Sequence, residues 1–226
     1  MTRYSPVVIV GSGLAGISLA LRLSSIGVKS LLLTKSTLAS GSSLWAQGGI
    51  AAVMDPSDSF EAHIQDTHDA GAGLCNVEAV QTVVEGAPNA IDWLSGAGVD
   101  FDLKEKKSNA LHLAQEGGHS YRRVAHVADS TGRAVVETLD QQVLASSHIE
   151  VLENHLSIDV IKSPDSQSGR ERVIGLYALN NKTQEIVTIR SEVVVLATGG
   201  ASKAYLYTSN PDTSTGDGIA IAWRAG

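Results

Sequence analysis

Cysteine, proline, aromatic residues and positive charge are all scarce in this chain, and each scarcity narrows what the protein can be. Cys75 is the single cysteine, so an internal disulfide and an all-cysteine zinc or iron–sulfur site are excluded. With apolar Leu74 and Val77 close by, Cys75 is predicted to be inert, and its isolation favours a reducing compartment. The 17 basic residues are outnumbered by 24 acidic ones, giving a formal charge of −7. Nucleic-acid binding, which needs a basic surface, is therefore not expected.

A long uninterrupted apolar run is also missing. Residues 4–21 carry no charge over almost the length of a membrane span, about 20 residues, but glycine, serine and proline interrupt them. No small-residue cleavage site follows a basic start, as a secretory signal would require. We expect a protein that does not enter a membrane and is located in the cytoplasm. Hydrophobic residues make up 43 % of the chain, which is enough to form a core.

Glycine is abundant, with 22 residues, and its first cluster lies within a predicted βαβ unit. Val7–Val10 is a β-branched apolar run and predicts a buried parallel strand. Gly11 to Gly16 forms a turn, a helix extends to about Ile26, and 30–34 is the second strand. Such a unit takes about thirty residues. The predicted fold class is α/β, a Rossmann-like domain with a parallel sheet plus a smaller antiparallel β region.

The rest of the chain predicts further elements. Helices are predicted at 59–70, 76–95, 133–146 and 217–225. Pro88 should break or kink the second of these helices. Strands are predicted at 149–153, 157–162, 173–179, 185–190 and 193–197, with 163–172 an exposed hairpin loop. A β-hairpin insertion of about 149–192 would supply the antiparallel region.

The glycine turn has the pattern of a dinucleotide-binding site. Gly11 permits the tight turn, Gly13 removes a side chain that would block a pyrophosphate, and Gly16 lets the helix lie close to the strand. The amide groups at the start of the helix favour an anion. The candidate cofactor contacts in this turn are Gly11, Ser12, Gly13, Leu14, Ala15 and Gly16.

The second strand departs from the usual dinucleotide pattern. A carboxylate normally follows about twenty residues after the glycines and binds the ribose. Here Thr34, Lys35 and Ser36 occupy that place. Lys35 could pair with a ribose 2′-phosphate, which would favour NADP. It could instead lie beside the adenosine of FAD, or be a solvated surface lysine.

Six motifs in order resemble the succinate dehydrogenase/fumarate reductase flavoprotein family over nearly the whole chain. The first motif is the turn from Gly11 to Gly16. The others are Ser-Ser-Leu-Trp-Ala-Gln-Gly-Gly at 42–49, Gln-Glu-Gly-Gly-His-Ser at 115–120, Ala-Asp-Ser-Thr-Gly-Arg at 128–133, Ala-Thr-Gly-Gly at 197–200 and Ser-Thr-Gly-Asp-Gly at 214–218. The resemblance implies an FAD-binding domain. It assigns to the FAD site Ser42, Ser43, Leu44, Trp45, Ala46, Gln47, Gly48, Gly49 and Asp217.

Two positions distinguish between members of that family. Succinate dehydrogenases attach FAD through a histidine five residues before the glutamine of their Ala-Gln-Gly-Gly segment, and here that position is Ser42. The resemblance therefore implies non-covalent FAD. Glu116 stands where the dehydrogenases have an apolar aromatic residue, and a carboxylate can bind an ammonium group. In the branch of the family that oxidises L-aspartate, the matching glutamate orients the substrate amine.

That branch of the family implies a specific reaction. We expect FAD-dependent oxidation of L-aspartate to iminoaspartate with O2 or fumarate as acceptor, the first step of quinolinate and NAD synthesis. A functional link to quinolinate synthase would follow. Three alternatives remain: a fumarate reductase or succinate dehydrogenase flavoprotein subunit, an NADP-binding dehydrogenase, and a non-enzymatic FAD-binding interaction module.

A basic cluster could help to hold the substrate carboxylates. Its members are His112, His119, Arg122, Arg123 and His126, and a surface or core role is equally open for each. No spacing of His, Cys, Asp or Glu indicates a metal site.

The predicted last helix would bury Ile219 and Trp223 with no following element to pack on. We therefore expect the N-terminal part of a longer protein. In the family, the catalytic base is an arginine of a capping domain, and a later glycine-rich segment completes the FAD site. These parts and a C-terminal helical domain would be absent, so the chain alone should bind FAD weakly at best and be inactive.

Overall fold

The computed structural model describes residues 2–105, 109–164 and 169–226. The chain forms two compact units: the first is Met1–Leu44 with Leu139–Gly226, and the second is Trp45–Thr138. The strands are β1 (Thr2–Tyr4), β2 (Val7–Val10), β3 (Ser30–Leu33), β4 (Ile50–Ala51), β5 (Leu113–Ala114), β6 (Val124–Ala125), β7 (Ile149–Leu152), β8 (His155–Pro164), β9 (Glu171–Asn180), β10 (Ile186–Arg190) and β11 (Val193–Leu196). The helices are α1 (Leu14–Ser25), α2 (Phe60–Gly71), α3 (Val77–Gly96), α4 (Thr131–Ala145) and α5 (Asp217–Ala225).

The first unit is built on a four-stranded parallel sheet in the order β11-β2-β3-β7. Its central strands are apolar because both of their faces are covered, and every residue of β3 is buried. On α1, Ile17 and Ala20 have no exposed surface. The predicted βαβ unit, and with it the α/β fold class, is confirmed.

A second four-stranded sheet of this unit has the order β1-β10-β9-β8. Its pairs are antiparallel except that β1 runs parallel to β10. A hydrophobic core joins the two sheets, with Val8 and Leu31 from one and Leu176 and Ile189 from the other. The smaller antiparallel β region predicted from the sequence is therefore present.

The predicted hairpin insertion differs from the structure at its start. Residues 149–152 form β7, which pairs in parallel with β3, so the antiparallel sheet begins only at β8. The paired strands β8 and β9 extend into both ends of the predicted loop 163–172. The part of that loop at 165–168 lies outside the described residues.

The second unit contains α2, α3 and a three-stranded antiparallel sheet in the order β4-β6-β5. Ser59 caps α2 by accepting a hydrogen bond from the Ala62 amide at 3.1 Å. Pro88 does not break the helix, because α3 continues through it, and the alternative of a kink there stays a prediction. Val84 and Ile91 are buried on either side, so packing of the apolar face outweighs the hydrogen bond that proline cannot make.

The uncharged stretch at residues 4–21 folds as β2, the glycine turn and most of α1. Within the described ranges, every helix is too short or too polar to cross a bilayer.

Candidate functional site

A cavity of about 330 Å³ lies in the first unit at the carboxyl ends of β2, β3 and β11. The connection through α1 leads from β2 to β3 on one side, and β11 flanks β2 on the other. Such a switch point is where open α/β sheets bind ligands. Of the predicted cofactor residues, the wall includes Gly11, Ser12, Gly13, Leu14, Ala15, Lys35, Ser42, Ser43 and Asp217.

The three glycines of the turn meet different surroundings. Gly11 has φ +112°, and a Cβ there would lie 2.2 Å from the Ala197 carbonyl oxygen. A Cβ on Gly16 would lie 1.9 Å from the Gly11 carbonyl oxygen. A Cβ on Gly13 would have only the Ser43 hydroxyl nearby, at 3.6 Å. The protein's own packing thus requires Gly11 and Gly16, whereas Gly13 keeps open a space that a ligand can use.

The start of α1 borders the cavity and favours an anion. Gly13, Leu14 and Ala15 belong to the wall, and the first turn of α1 has no acidic residue. The Leu14 amide donates to the Ser43 hydroxyl at 3.2 Å. The Ser12 hydroxyl donates to the Leu38 carbonyl at 2.7 Å and so fixes the loop after β3. The amide-rich helix end can receive a phosphate group.

Lys35 is held by an acidic partner at the start of α5. Its ammonium group lies 2.5 Å from the Asp217 carboxylate and 2.5 Å from the Thr215 hydroxyl. Burial raises the pKa of Asp217, but the hydrogen bonds from Lys35 and Thr215 outweigh it, so the net pKa is lowered. Because Asp217 already neutralises Lys35, the 2′-phosphate interpretation of Lys35 loses its support.

Some residues of the wall were not identified from the sequence. Ser157 follows His155 in β8, at a shift of register between Ser157 and Asp159. Its hydroxyl is buried without a hydrogen-bond partner among the described residues. That oxygen has almost no accessible surface, so Ser157 borders the cavity without presenting its hydroxyl to it. Nothing in the local sequence marks the irregularity at this point of β8.

The loop from Thr213 to Asp217 completes the wall. The Ser42 and Ser214 hydroxyls lie 3.1 Å apart, which places the residue at the family's covalent attachment position against this loop. The Gly216 amide donates to the Gly200 carbonyl at 3.2 Å, so two of the motifs in the sequence lie together. Of the remaining predicted contacts, Gly16 packs on Gly11, and Leu44 is outside the wall.

Trp45, Ala46, Gln47, Gly48 and Gly49 belong to the second unit. The Ala46 carbonyl accepts a hydrogen bond from the Gly132 amide at 2.9 Å, which connects this segment to the start of α4. A Cβ on Gly49 would lie 2.5 Å from the Ala125 carbonyl oxygen, so the close approach to β6 requires glycine.

Glu116 lies beside this segment. Its Oε1 is 3.5 Å from the point where a Cβ on Gly48 would stand. The side chain is exposed and makes no hydrogen bond or ion pair with another residue in the described ranges. The carboxylate is therefore available for a cationic ligand.

The predicted basic cluster does not act as one group. Arg123 has no exposed surface, and its guanidinium makes two hydrogen bonds to Asp58, at 2.9 and 2.8 Å, and one to Asp66 at 2.7 Å. It cannot bind a substrate carboxylate, so that interpretation is wrong for Arg123. Its neighbour Arg122 is exposed and makes no ion pair with any described residue.

Each of the three histidines of the cluster lies against another histidine, and one of these partners, His63, is outside the cluster. His112 Nδ1 lies 2.8 Å from His126 Nε2, and His126 Nδ1 lies 3.1 Å from Asp102. The ring of His119 meets the ring of His63 edge-on, with centroids 6.0 Å apart. Burial, followed by Arg123 and His119, lowers the pKa of His63. In the described ranges, no three His, Cys, Asp or Glu side chains are placed to hold a metal ion.

Comparison with known proteins agrees with this geometry. The sequence matches the FAD binding domain family over residues 6–226. It is 48 % identical over 223 residues to L-aspartate oxidase of Vibrio cholerae, which covers 97 % of this chain and 42 % of that protein. It is 50 % identical over 220 residues to L-aspartate oxidase 1 of Ralstonia nicotianae, covering 97 % and 41 %. The chain thus spans about two fifths of the length of these curated relatives.

A solved structure of an E. coli quinol fumarate reductase variant has the same fold, with a TM-score of 0.90 and 31 % identity over 100 % of this chain and 38 % of that one. The residues present fit a flavin dinucleotide, because Gly13 leaves room in the cavity beside the amide-rich end of α1. With residues 6–226 matched, the chain belongs to the FAD-binding domain family, and FAD is its cofactor.

Proposed function

We propose that this chain is the flavin-binding part of an oxidase that converts L-aspartate to iminoaspartate. The observation that carries the proposal is the Glu116 carboxylate, which lies beside Gly48 without a partner in the described part of the chain. The identity of 46–50 % to L-aspartate oxidases of three bacteria supports it. O2 or fumarate would accept the electrons. The iminoaspartate would enter quinolinate and NAD synthesis through quinolinate synthase.

The residues of the first unit would hold the cofactor. The start of α1 and the open side of Gly13 would receive the pyrophosphate. Ser42 cannot form the histidyl bond of the dehydrogenases, so FAD would be bound non-covalently. The chemistry that bound FAD supplies is acceptance of a hydride equivalent from the substrate Cα. With O2 as acceptor the two electrons and two protons would end in hydrogen peroxide, and with fumarate they would end in succinate.

Glu116 would bind and orient the substrate ammonium group. L-aspartate differs from succinate by this group, and an ammonium ion loses favourable hydration when it leaves water. A carboxylate restores that energy by a charge-assisted hydrogen bond. As the ammonium group becomes an imine it releases a proton. We propose that the base that takes this proton belongs to the part of the relatives that this chain does not match.

A fumarate reductase or succinate dehydrogenase flavoprotein is the second candidate, and the TM-score of 0.90 to quinol fumarate reductase favours it. Two residues oppose this candidate. Ser42 cannot form the covalent bond to FAD that the dehydrogenases have, and Glu116 places a negative charge where succinate has no cationic group to pair with it. The higher identity to L-aspartate oxidases, 48–50 % against 31 %, points the same way.

The proposal is tested by anaerobic titration of the purified, FAD-loaded protein that contains this chain. L-aspartate should bleach the flavin absorbance, and readmission of air should restore the colour with formation of hydrogen peroxide. Succinate, which has the same two carboxylates as L-aspartate but no ammonium group, should bleach the flavin absorbance far more slowly. Acid denaturation should release the flavin into the supernatant. Bleaching by succinate but not L-aspartate would overturn the proposal in favour of the second candidate.

A further inference from the structure

The loop that carries Glu116, residues 115–120, is closed on itself by two hydrogen bonds. The Gln115 side-chain amide donates to the His119 carbonyl at 2.6 Å. The His119 amide donates to the Glu116 carbonyl at 3.2 Å. These bonds give the loop its shape, but they do not fix it to the rest of the second unit.

Asp66 of α2 fastens the end of this loop. The Ser120 amide donates to one oxygen of the Asp66 carboxylate at 2.7 Å, and the Ser120 hydroxyl donates to the other at 2.7 Å. Both are charge-assisted bonds, which are about twice as strong as neutral ones. They lower the pKa of Asp66 to about 2, with a further contribution from Arg123. Asp66 thus remains ionised at neutral pH.

Arg123 in turn fixes Asp66. Its guanidinium bonds Asp66 on one side and Asp58 on the other, and the side chains of Arg123 and Asp58 are 0 % and 1 % exposed. Three charged groups in so little water hold one geometry, because any rotation would leave a buried charge unpaired. The loop is therefore connected through Asp66 to a rigid, buried ionic group.

We propose that Asp66 is a positioning residue, which places Glu116 through Ser120 and so determines the preference for a substrate with an ammonium group. The Glu116 side chain has no bond to another described residue, so the loop backbone sets the region that its carboxylate can reach. Succinate has no ammonium group for Glu116 to bind, so a displaced Glu116 weakens the binding of L-aspartate more than that of succinate. This role rests on the proposed function.

The test uses the FAD-loaded protein and a substitution at Ser120 that leaves the buried charges intact. Ser120→Ala removes the hydroxyl bond to Asp66 and keeps the amide bond, whereas Ser120→Thr keeps both. Gln65→Ala is the matched control, since Gln65 bonds Asp69 at 2.8 Å on the exposed side of the same helix. The measurements are kcat and KM for L-aspartate, the dissociation constant of succinate, and hydrogen exchange of the segment 115–120.

Ser120→Ala should raise KM for L-aspartate about tenfold, with a change in succinate affinity below about twofold. Hydrogen exchange of the loop should become faster, Ser120→Thr should restore both properties, and Gln65→Ala should change neither. Unchanged loop exchange in Ser120→Ala, or equal losses for L-aspartate and succinate, would overturn the positioning role while the proposed function stands. A wild-type protein that neither binds nor oxidises L-aspartate would overturn the proposed function itself.

Discussion

Replacing the buried Arg123 separates a structural role from a substrate-binding role. Arg123→Met keeps most of the side-chain volume but leaves the Asp58 and Asp66 carboxylates, 1 % and 11 % exposed, without their cation. Removing one partner of a buried ion pair costs about 3–5 kcal/mol. In a chain of this size each kcal/mol lowers the melting temperature by about 2–4 °C. We therefore expect a fall of roughly 6–20 °C at neutral pH, measured by circular dichroism.

The pH dependence of this loss has a definite sign. The pKa of Asp66 lies at about 2, lowered first by Ser120 and then by Arg123, against 3.8 for an ordinary aspartate. A carboxylate whose pKa is lowered by folding stabilises the folded protein at every pH above the pKa that it has in the unfolded chain. That stabilisation disappears as the pH falls through about 2, the pKa in the folded protein. Without Arg123, the pKa of Asp66 rises, and the variant takes up the proton earlier. The difference in melting temperature between the wild type and Arg123→Met should therefore be constant near neutrality and become smaller as the pH approaches 2.

Arg122→Met is the control for Arg123→Met, because Arg122 is adjacent, equally charged and exposed. Its effect on the free energy of unfolding should stay within about 0.5 kcal/mol. A different pattern would refute the structural reasoning: Arg123→Met with an unchanged melting temperature and lost affinity for L-aspartate. That result would return Arg123 to the role of a substrate ligand.

Three further substitutions test the two binding regions. Glu116→Gln should lower kcat/KM for L-aspartate by about tenfold or more and leave fumarate reduction nearly unchanged in steady-state assays, and equal losses would contradict the assigned role. Gly13→Val should abolish retention of FAD, measured by the flavin-to-protein absorbance ratio, with the circular dichroism spectrum unchanged because the added carbons enter the cavity. Gly16→Ala should lower stability by about 1–3 kcal/mol in urea unfolding, since its Cβ would lie 1.9 Å from the Gly11 carbonyl oxygen, and a stable variant would disprove that contact.

Local pattern predicted the elements whose causes are local. The β-branched run of β2 and the glycines after it determine the βαβ unit, and the ends of α5 agree with the predicted helix at 217–225. Pairing between distant segments was not predictable in the same way. The placement of β7 beside β3 in the parallel sheet and the pairing of β1 with β10 depend on register across long sequence separations. For the same reason the sequence does not predict that Ser157 borders the cavity, because this residue lies at an irregularity in the pairing of β8 with β9.

The predicted basic cluster shows why charged residues are harder to interpret than glycines. Arg122 and Arg123 are neighbours just before β6, where side chains alternate between faces, so one meets solvent and the other meets Asp58 and Asp66. Sequence reveals the alternation but not which face holds the acids. Once those acids neutralise Arg123, a mutation of the ionic group should reach Glu116 only through Ser120. Preference for L-aspartate should therefore fall in both Arg123→Met and Ser120→Ala, and the loss of stability should be much larger in Arg123→Met, which leaves two carboxylates without their cation.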